Sequence, residues 1–175
     1  MVDYNELDFA ERLVQKEFKC NTVRNGESYV ITCLTGDKNI SIAVKGKKSG
    51  ICWIEVLYND GRNGWIISDY DYIGFIDDNE NLLLVSPKKL REELLPKVKW
   101  YDGIDFSKVL NEQESDVYVS QLINCGFVKY KQSFDFYELR RRSGNDKRHN
   151  LPYKDLMFKA QWDDVRNIAE YILKE

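Results

Sequence analysis

The chain has 175 residues, a mass of 20.7 kDa and a formal net charge of −3 from 26 basic and 29 acidic side chains. This length fits one domain, and 43% hydrophobic residues are enough to bury a core. The charge balance argues against tight nonspecific binding of nucleic acid, so any such contact must use a local basic patch. No apolar run approaches the roughly 20 residues that cross a bilayer, which excludes a transmembrane helix.

The first half of the chain predicts one helix followed by strands. Apolar residues at steps of three and four, with Asn5 as a cap, predict an amphipathic helix over residues 5–18. Runs of β-branched and apolar residues predict a hairpin of residues 29–34 and 40–45 around a Gly-Asp turn. The same signals predict three more strands, at residues 51–58, 72–76 and 82–85.

The second half gives fewer signals. Ser86 as a cap and Pro87 in the first turn predict a helix over residues 88–95. Further along, we expect polar loops over residues 97–115 and a strand or short helix over residues 117–125. Two strands are expected after these, at residues 134–140 and 155–159. A final amphipathic helix is expected from Asp163, with one face formed by Val165, Ile168, Ala169 and Ile172.

Cysteine usage points to a reducing compartment. The four cysteines form no CxxC pair and are far apart, at Cys20, Cys33, Cys52 and Cys125. The first residues lack the basic and apolar segments of a signal peptide. We therefore expect a cytoplasmic protein.

A strand that ends on Lys45 is followed by a basic turn with Lys47 and Lys48, and then by a strand that carries Glu55. Such a pairing could hold a divalent cation and a phosphate together. Metal-dependent nucleases need carboxylates to bind the cation, and a lysine to orient water and stabilise the phosphate charge.

This region resembles the small phage and mobile-element proteins of the PD-(D/E)xK nuclease superfamily. Residues 47–50 are similar to the family's turn, residues 53–56 to the strand after it, and Asp71-Tyr72 to the end of its "ADY" segment. The resemblance covers about residues 11–95. It implies an α/β (α+β) fold with a central mixed β-sheet flanked by helices, and Mg²⁺-dependent or Mn²⁺-dependent phosphodiester hydrolysis where the site is complete.

From the resemblance we expect residues 1–96 to form a nuclease-like core. Residues 97–175 are then a C-terminal extension packed on the same domain. An origin in a phage would place the protein in the host cytoplasm, with the oligomeric state left open and a dimer among the options.

The site that the resemblance implies is incomplete. The Glu of Glu-x-Lys aligns with Ala43 and the strand Asp with Cys33, and neither supplies the oxygen that Mg²⁺ prefers. Three explanations stay open. Ala43 is an engineered inactivation, the fold has lost catalysis, or the carboxylates that bind the metal lie at other positions of the sequence. In the last case the metal ligands would be Asp37, Glu55 and Glu11.

A second basic stretch follows near the end of the chain. It comprises Arg140, Arg141, Arg142, Lys147 and Arg148, and is expected to be a loop that is either simply solvated or binds a phosphate backbone or an acidic protein face. With Lys47, Lys48 and Arg62, these are the candidate contacts to nucleic acid or a partner.

Two functions follow from the resemblance and the incomplete site. One is a catalytically degenerate protein that binds nucleic acid, or a host defence protein as an inhibitor. The other is an active Mg²⁺-dependent nuclease with Lys45 and Glu55 as catalytic residues.

Each candidate also has a plainer reading. Lys45 and Glu11 could be solvated charges, and Glu55 could face water between Ile54 and Val56. Asp37 could serve its turn. The indoles of Trp53 and Trp65 are more often core or rim aromatics than base-stacking platforms.

Overall fold

The computed structural model describes residues 4–24, 29–36, 38–46, 51–57, 64–98, 108, 129–130, 135–146 and 151–175. Only the backbone is described at residues 57, 129–130, 140–146 and 151–156. None of the helices in these ranges has the length and apolar character needed to cross a membrane.

The described residues contain three α-helices: α1 (Tyr4–Phe18), α2 (Pro87–Lys89) and α3 (Trp162–Ile168). The strands are β1 (Asn21–Arg24), β2 (Val30–Leu34), β3 (Asn39–Lys45), β4 (Cys52–Leu57), β5 (Tyr72–Ile76), β6 (Leu82–Val85), β7 (Lys129–Tyr130), β8 (Arg140–Asp146), β9 (Leu151–Ala160) and β10 (Tyr171–Leu173). Single turns of 3-10 helix lie at Trp65–Ile67 and Leu95–Lys97, and a π-helical turn at Leu90–Leu94 continues α2.

The chain divides into two compact units. The first contains residues 1–52, 69–94 and 161–175, and the second contains residues 53–68 and 95–160. The first unit holds a six-stranded mixed sheet of order β1-β2-β3-β5-β6-β10, in which only β3 and β5 are parallel. The fold is therefore mixed α+β around a central mixed sheet, as the sequence predicts.

α1 covers one face of this sheet because its apolar residues recur at helical spacing. The buried cluster between helix and sheet comprises Leu7, Ala10, Leu13, Val14, Ile31, Cys33, Ile42, Val44, Ile76, Leu82, Leu84 and Leu173. Each fully buried aliphatic side chain contributes roughly 1.5–3 kcal/mol.

The other face is buried over its central strands. Side chains alternate along a strand, so the neighbours of the α1-facing residues point away from α1. The buried residues of that second set include Ala43, Ile73, Phe75, Leu83 and Val85. α3 lies against β6 and the π-helical turn.

The second unit is built on the sheet of order β4-β9-β8-β7. β8 and β9 are antiparallel, from Arg140 opposite Met157 to Asp146 opposite Leu151, and β7 is parallel to β8. β4 therefore does not extend the sheet of β3, although it is the next strand along the chain.

Three predictions of local structure are wrong. The basic stretch that begins at Arg140 is strand β8 as far as Asp146, because it pairs with β9, and is not a loop. Ile172 lies in β10, paired with Leu83, instead of continuing the last helix, which ends at Ile168. Residues 134–140 were predicted as a strand, but a turn at 136–137 precedes β8.

Two further expectations stay predictions. Residues 117–125 and most of 97–115 lie outside the described residues. The division at residue 96 stays a prediction, although the contact pattern groups residues 161–175 with the first unit.

Candidate functional site

Lys45 ends β3 at the carboxyl edge of the parallel pair, directly beside Phe75 of β5. Its side chain is half-buried. Burial raises the pKa of the Cys52 thiol to about 12, and the positive charge of Lys45 opposes that rise, so the ammonium lies near this thiol. Ligands commonly bind at the carboxyl ends of parallel strands in open sheets, so this edge is a candidate ligand site.

The two positions where the resemblance expects carboxylates lie on opposite faces of the sheet. Cys33 is fully buried in the cluster under α1. Ala43 is also fully buried, but alternation with Ile42 and Val44 turns it to the other face, which Lys45 shares. On that second face, β2 presents Val30 and Thr32 instead of Cys33.

Cys33 belongs to a thiol pair in the core. Burial, and then a hydrogen bond with Cys20, raise the pKa of the Cys33 thiol to about 12. Cys20 follows α1 and packs against the same cluster. A neutral thiol in this setting is an apolar packing group, and a carboxylate in its place would have to be desolvated.

Glu11 lies on the α1 side of the sheet. Its carboxylate accepts hydrogen bonds from the Thr22 hydroxyl and from the Arg24 guanidinium of β1. Arg24 also pairs with Asp8, and these hydrogen bonds to Asp8 and Glu11 raise the pKa of Arg24. Glu11 therefore joins α1 to β1, and the sheet separates it from the face of Lys45.

Glu55 belongs to β4 in the second unit and is half-buried. Its carboxylate accepts a hydrogen bond from the indole Nε1 of Trp65, which is itself buried. Gly64 makes this contact possible: its amide donates to the Val56 carbonyl at 3.1 Å, and a Cβ on Gly64 would collide with the Glu55 backbone. Trp65 is therefore a core aromatic.

Asp71 connects the turn between β2 and β3 to the start of β5. Its carboxylate accepts from the Lys38 ammonium at 2.8 Å and from the Ser41 amide and hydroxyl at 2.9 and 3.0 Å. Burial alone would raise the pKa of Asp71, but these hydrogen bonds outweigh it and lower the pKa below its usual value. The residue that carries the "ADY" similarity is thus held in a structural bridge.

Several predicted site residues fall outside the described part of the chain. They are Asp37, Lys47, Lys48, Arg62, Lys147 and Arg148. Arg140, Arg141 and Arg142 are described as backbone only and lie at successive positions of β8, opposite Met157, Leu156 and Asp155 of β9. Lys129 of β7 pairs with Arg140.

Of the predicted metal ligands, Glu11 belongs to the first unit and Glu55 to the second, and Asp37 lies outside the described residues. Glu11 and Lys45 lie on opposite faces of one sheet, while Glu55 belongs to the other unit. Within the described ranges, no group of three or more His, Cys, Asp or Glu side chains is arranged to hold a metal ion.

Sequence reasoning missed two features. Asp77 is fully buried and bonded to Arg166 at 2.7 Å, whereas its sequence context indicates only a turn. Phe136 is an exposed aromatic beside the ammonium of Lys159. Its alternating context indicates a strand and gives no signal for this pairing.

Comparison with protein-family models, with curated proteins and with solved structures found no match to this chain.

Proposed function

We propose that the protein binds nucleic acid without cleaving it, as a catalytically degenerate PD-(D/E)xK nuclease-like protein of phage or mobile-element origin acting in the host cytoplasm. The observation that carries the proposal is the run of Arg140, Arg141 and Arg142 within β8, beside Lys129 of β7. Arginine is well suited to bind phosphates, and contacts from a local run of cations can supply most of the affinity for a nucleic-acid backbone.

The core positions around Lys45 support the degenerate form of the proposal. Ala43 and Cys33 are buried among apolar residues on different faces of the sheet. A charged carboxylate at either position would have to be desolvated, which is costly. A silent, binding-only protein needs neither carboxylate.

The test is nucleic-acid binding measured by fluorescence anisotropy at about 50 mM and about 300 mM salt. Replacing Arg140, Arg141 and Arg142 together by alanine should weaken binding about ten-fold or more at low salt, and less at high salt. Equal affinity of this variant and the unmodified chain at both salt concentrations would remove β8 from the proposal.

A matched control removes three positive charges elsewhere. Lys16, Lys88 and Lys174 are exposed residues of the first unit. Their triple alanine variant changes the net charge by the same amount as the arginine variant and should lose much less affinity. A similar loss in both variants would indicate a general charge effect instead of a site.

An acidic surface of a host defence protein is the other partner that β8 could bind. In that case the chain would act as an inhibitor in the host cytoplasm, and a complete lack of binding to single-stranded and duplex DNA and RNA would favour this partner class.

An active Mg²⁺-dependent nuclease is the second candidate, and the half-buried Lys45 at the carboxyl end of β3 favours it. Such an enzyme would use Lys45 to position water and phosphate, with Glu55 and Asp37 as ligands of Mg²⁺ or Mn²⁺. Cleavage that disappears both in Lys45→Ala and on chelation would establish it. Cleavage that survives both changes would exclude this assignment.

A further inference from the structure

Residues 135–138 form a turn that holds one aromatic side chain outward. The Tyr137 amide donates to the Lys159 carbonyl at 2.9 Å, and the Tyr137 ring lies 6.1 Å from the buried Phe158 ring, at 35° to it. Tyr137 adopts a positive φ of 57°, which a non-glycine residue takes only when its surroundings fix it. Phe136, the residue before it, is left 43% exposed.

Two lysines lie against the aromatic rings of this turn. The Lys159 ammonium is 4.2 Å from the centre of the Phe136 ring, and the Lys97 ammonium is 5.8 Å from the centre of the Tyr137 ring. A partly exposed phenylalanine ring beside a cation offers both an aromatic surface and a positive charge to a ligand. Aromatic faces beside positive charge are the combination that binds single-stranded nucleic acid.

The charges of the turn nearly cancel. Asp135 and Glu138 lie in the same turn as the aromatic residues, and they offset Lys97 and Lys159. The turn is therefore a poor site for a phosphate backbone by charge alone. What the turn adds is a partly exposed aromatic ring with the Lys159 ammonium over one of its faces.

We propose that Phe136 is a stacking platform for a base of a single-stranded nucleic acid, with Tyr137 fixing its position. This inference rests on the proposed function and narrows its ligand class. Bases in a duplex stack on each other and hide their faces, whereas an unpaired base can lie on an aromatic ring. The site should therefore prefer single strands to duplexes.

The experiment compares three labelled ligands of equal length by fluorescence anisotropy: single-stranded oligothymidylate, duplex DNA and an abasic deoxyribose-phosphate strand. Phe136→Ala should weaken oligothymidylate binding by at least about five-fold, because stacking contributes about 1–3 kcal/mol per base. Its affinity for the abasic strand and the duplex should not change. Phe136→Trp should keep the affinity, and oligothymidylate should quench its added fluorescence.

The salt dependence separates this inference from the proposed function. Phe136→Ala should leave the slope of log affinity against log salt unchanged, because stacking releases no counterions, whereas the triple arginine variant should reduce it. Tyr4→Ala is the matched control, since Tyr4 is an 80% exposed aromatic on α1, and it should bind like the unmodified chain.

Two results would overturn the inference alone: unchanged oligothymidylate binding in Phe136→Ala, or an equal loss on the abasic strand. In either case binding that still depends on the arginines of β8 leaves the proposed function standing. Absence of binding to every nucleic acid by the unmodified chain would overturn both proposals.

Discussion

Asp77 is the only charged residue that is fully buried within the described part of the chain. One carboxylate oxygen accepts from the amides of Asn79 and Asn81, both at 2.9 Å, and the other accepts from Arg166 Nε at 2.7 Å. The guanidinium of Arg166 also pairs with Asp78 and, at 2.9 Å, with Asp163. Asp77 therefore joins the turn between β5 and β6 to α3.

Removing this charge should be costly. We expect Asp77→Asn to lower the free energy of unfolding by about 2–4 kcal/mol, because Arg166 loses its buried partner and one amide must replace several acceptor bonds. Asp78→Asn, at a half-exposed carboxylate, should cost less than about 1 kcal/mol. Urea unfolding of both variants measures the difference, and equal costs would contradict the assigned role.

Because of Asp77, we also expect the free energy of unfolding to depend on pH. Burial alone would raise the pKa of Asp77, but hydrogen bonds from Asn81, Arg166 and Asn79 together lower it below its usual value. The stabilisation from ionised Asp77 is therefore complete above the pKa of an unfolded aspartate, which is about 4. It is lost as the pH falls through the lower pKa of Asp77 in the folded protein.

Unfolding free energies at pH values between about 6 and 2 test this dependence. The stability of the unmodified chain should decline at acidic pH more steeply than that of Asp77→Asn, with Asp71 contributing in the same direction. Parallel declines in the two proteins would show that Asp77 contributes nothing to the acid sensitivity.

Ala43 predicts the effect of restoring the carboxylate that the resemblance expects. Ala43 is fully buried and lies between Val30 and Ile73 in the sheet. Ala43→Glu should destabilise the protein by about 2–5 kcal/mol, because it both overpacks the core and buries a carboxylate. Thr32→Glu, at a half-buried position of the same face, should lower the free energy of unfolding by less, as measured by chemical denaturation. If Ala43→Glu left the free energy of unfolding unchanged, this face of the sheet would be able to accommodate a carboxylate.

At the scale of elements, Gly64 lets the backbone just before Trp65 approach β4 closely. A methyl group at this position would collide with the backbone of Glu55 and Val56. Gly64→Ala should therefore destabilise by more than about 2 kcal/mol and disturb the hydrogen bond between Trp65 and Glu55.

Gly36→Ala is the informative comparison for Gly64. Gly36 has a φ of +88° with open space around it, so alanine there should cost only about 1 kcal/mol, from backbone strain. Unfolding curves of the two variants should rank them in this order, and the reverse ranking would refute the packing role of Gly64.

The elements that the sequence predicts well are those with local signals. α1, the hairpin of β2 and β3, and the helix start at Ser86 each carry periodicity, turn or capping residues, and the Ser86 hydroxyl does accept from the Lys89 amide. β10 was missed because Ile172 fits a helical period, and only its pairing with β6 makes it a strand. β8 was missed because charge runs favour loops unless a partner strand is present.

The candidate site was harder to predict than the elements. Spacing along the chain placed Cys33 and Ala43 in one motif, but the pairing of β2 with β3 sends their side chains to opposite faces. Likewise, β4 follows β3 in sequence but pairs in another sheet, which proximity along the chain does not reveal. Register and sheet order are long-range properties.

For the whole molecule, the net charge of −3 makes any affinity for nucleic acid depend on local cations. If β8 contacts phosphates, the slope of log affinity against log salt should be negative and should shrink by up to about 3 in the triple arginine variant. Titrations at four or more salt concentrations measure this slope. An unchanged slope in that variant would show that its arginines displace no counterions.

The pairing of β6 with β10 places Leu82 opposite Leu173, and the whole segment 95–160, which supplies most of the second unit, lies between them in the sequence. During synthesis on a ribosome, β6 therefore emerges long before its partner strand exists. Until then, four consecutive apolar residues, Leu82–Val85, form an unpaired edge that can associate with other nascent chains. The rate of translation and the supply of chaperones should accordingly decide which fraction of this protein folds and which fraction aggregates.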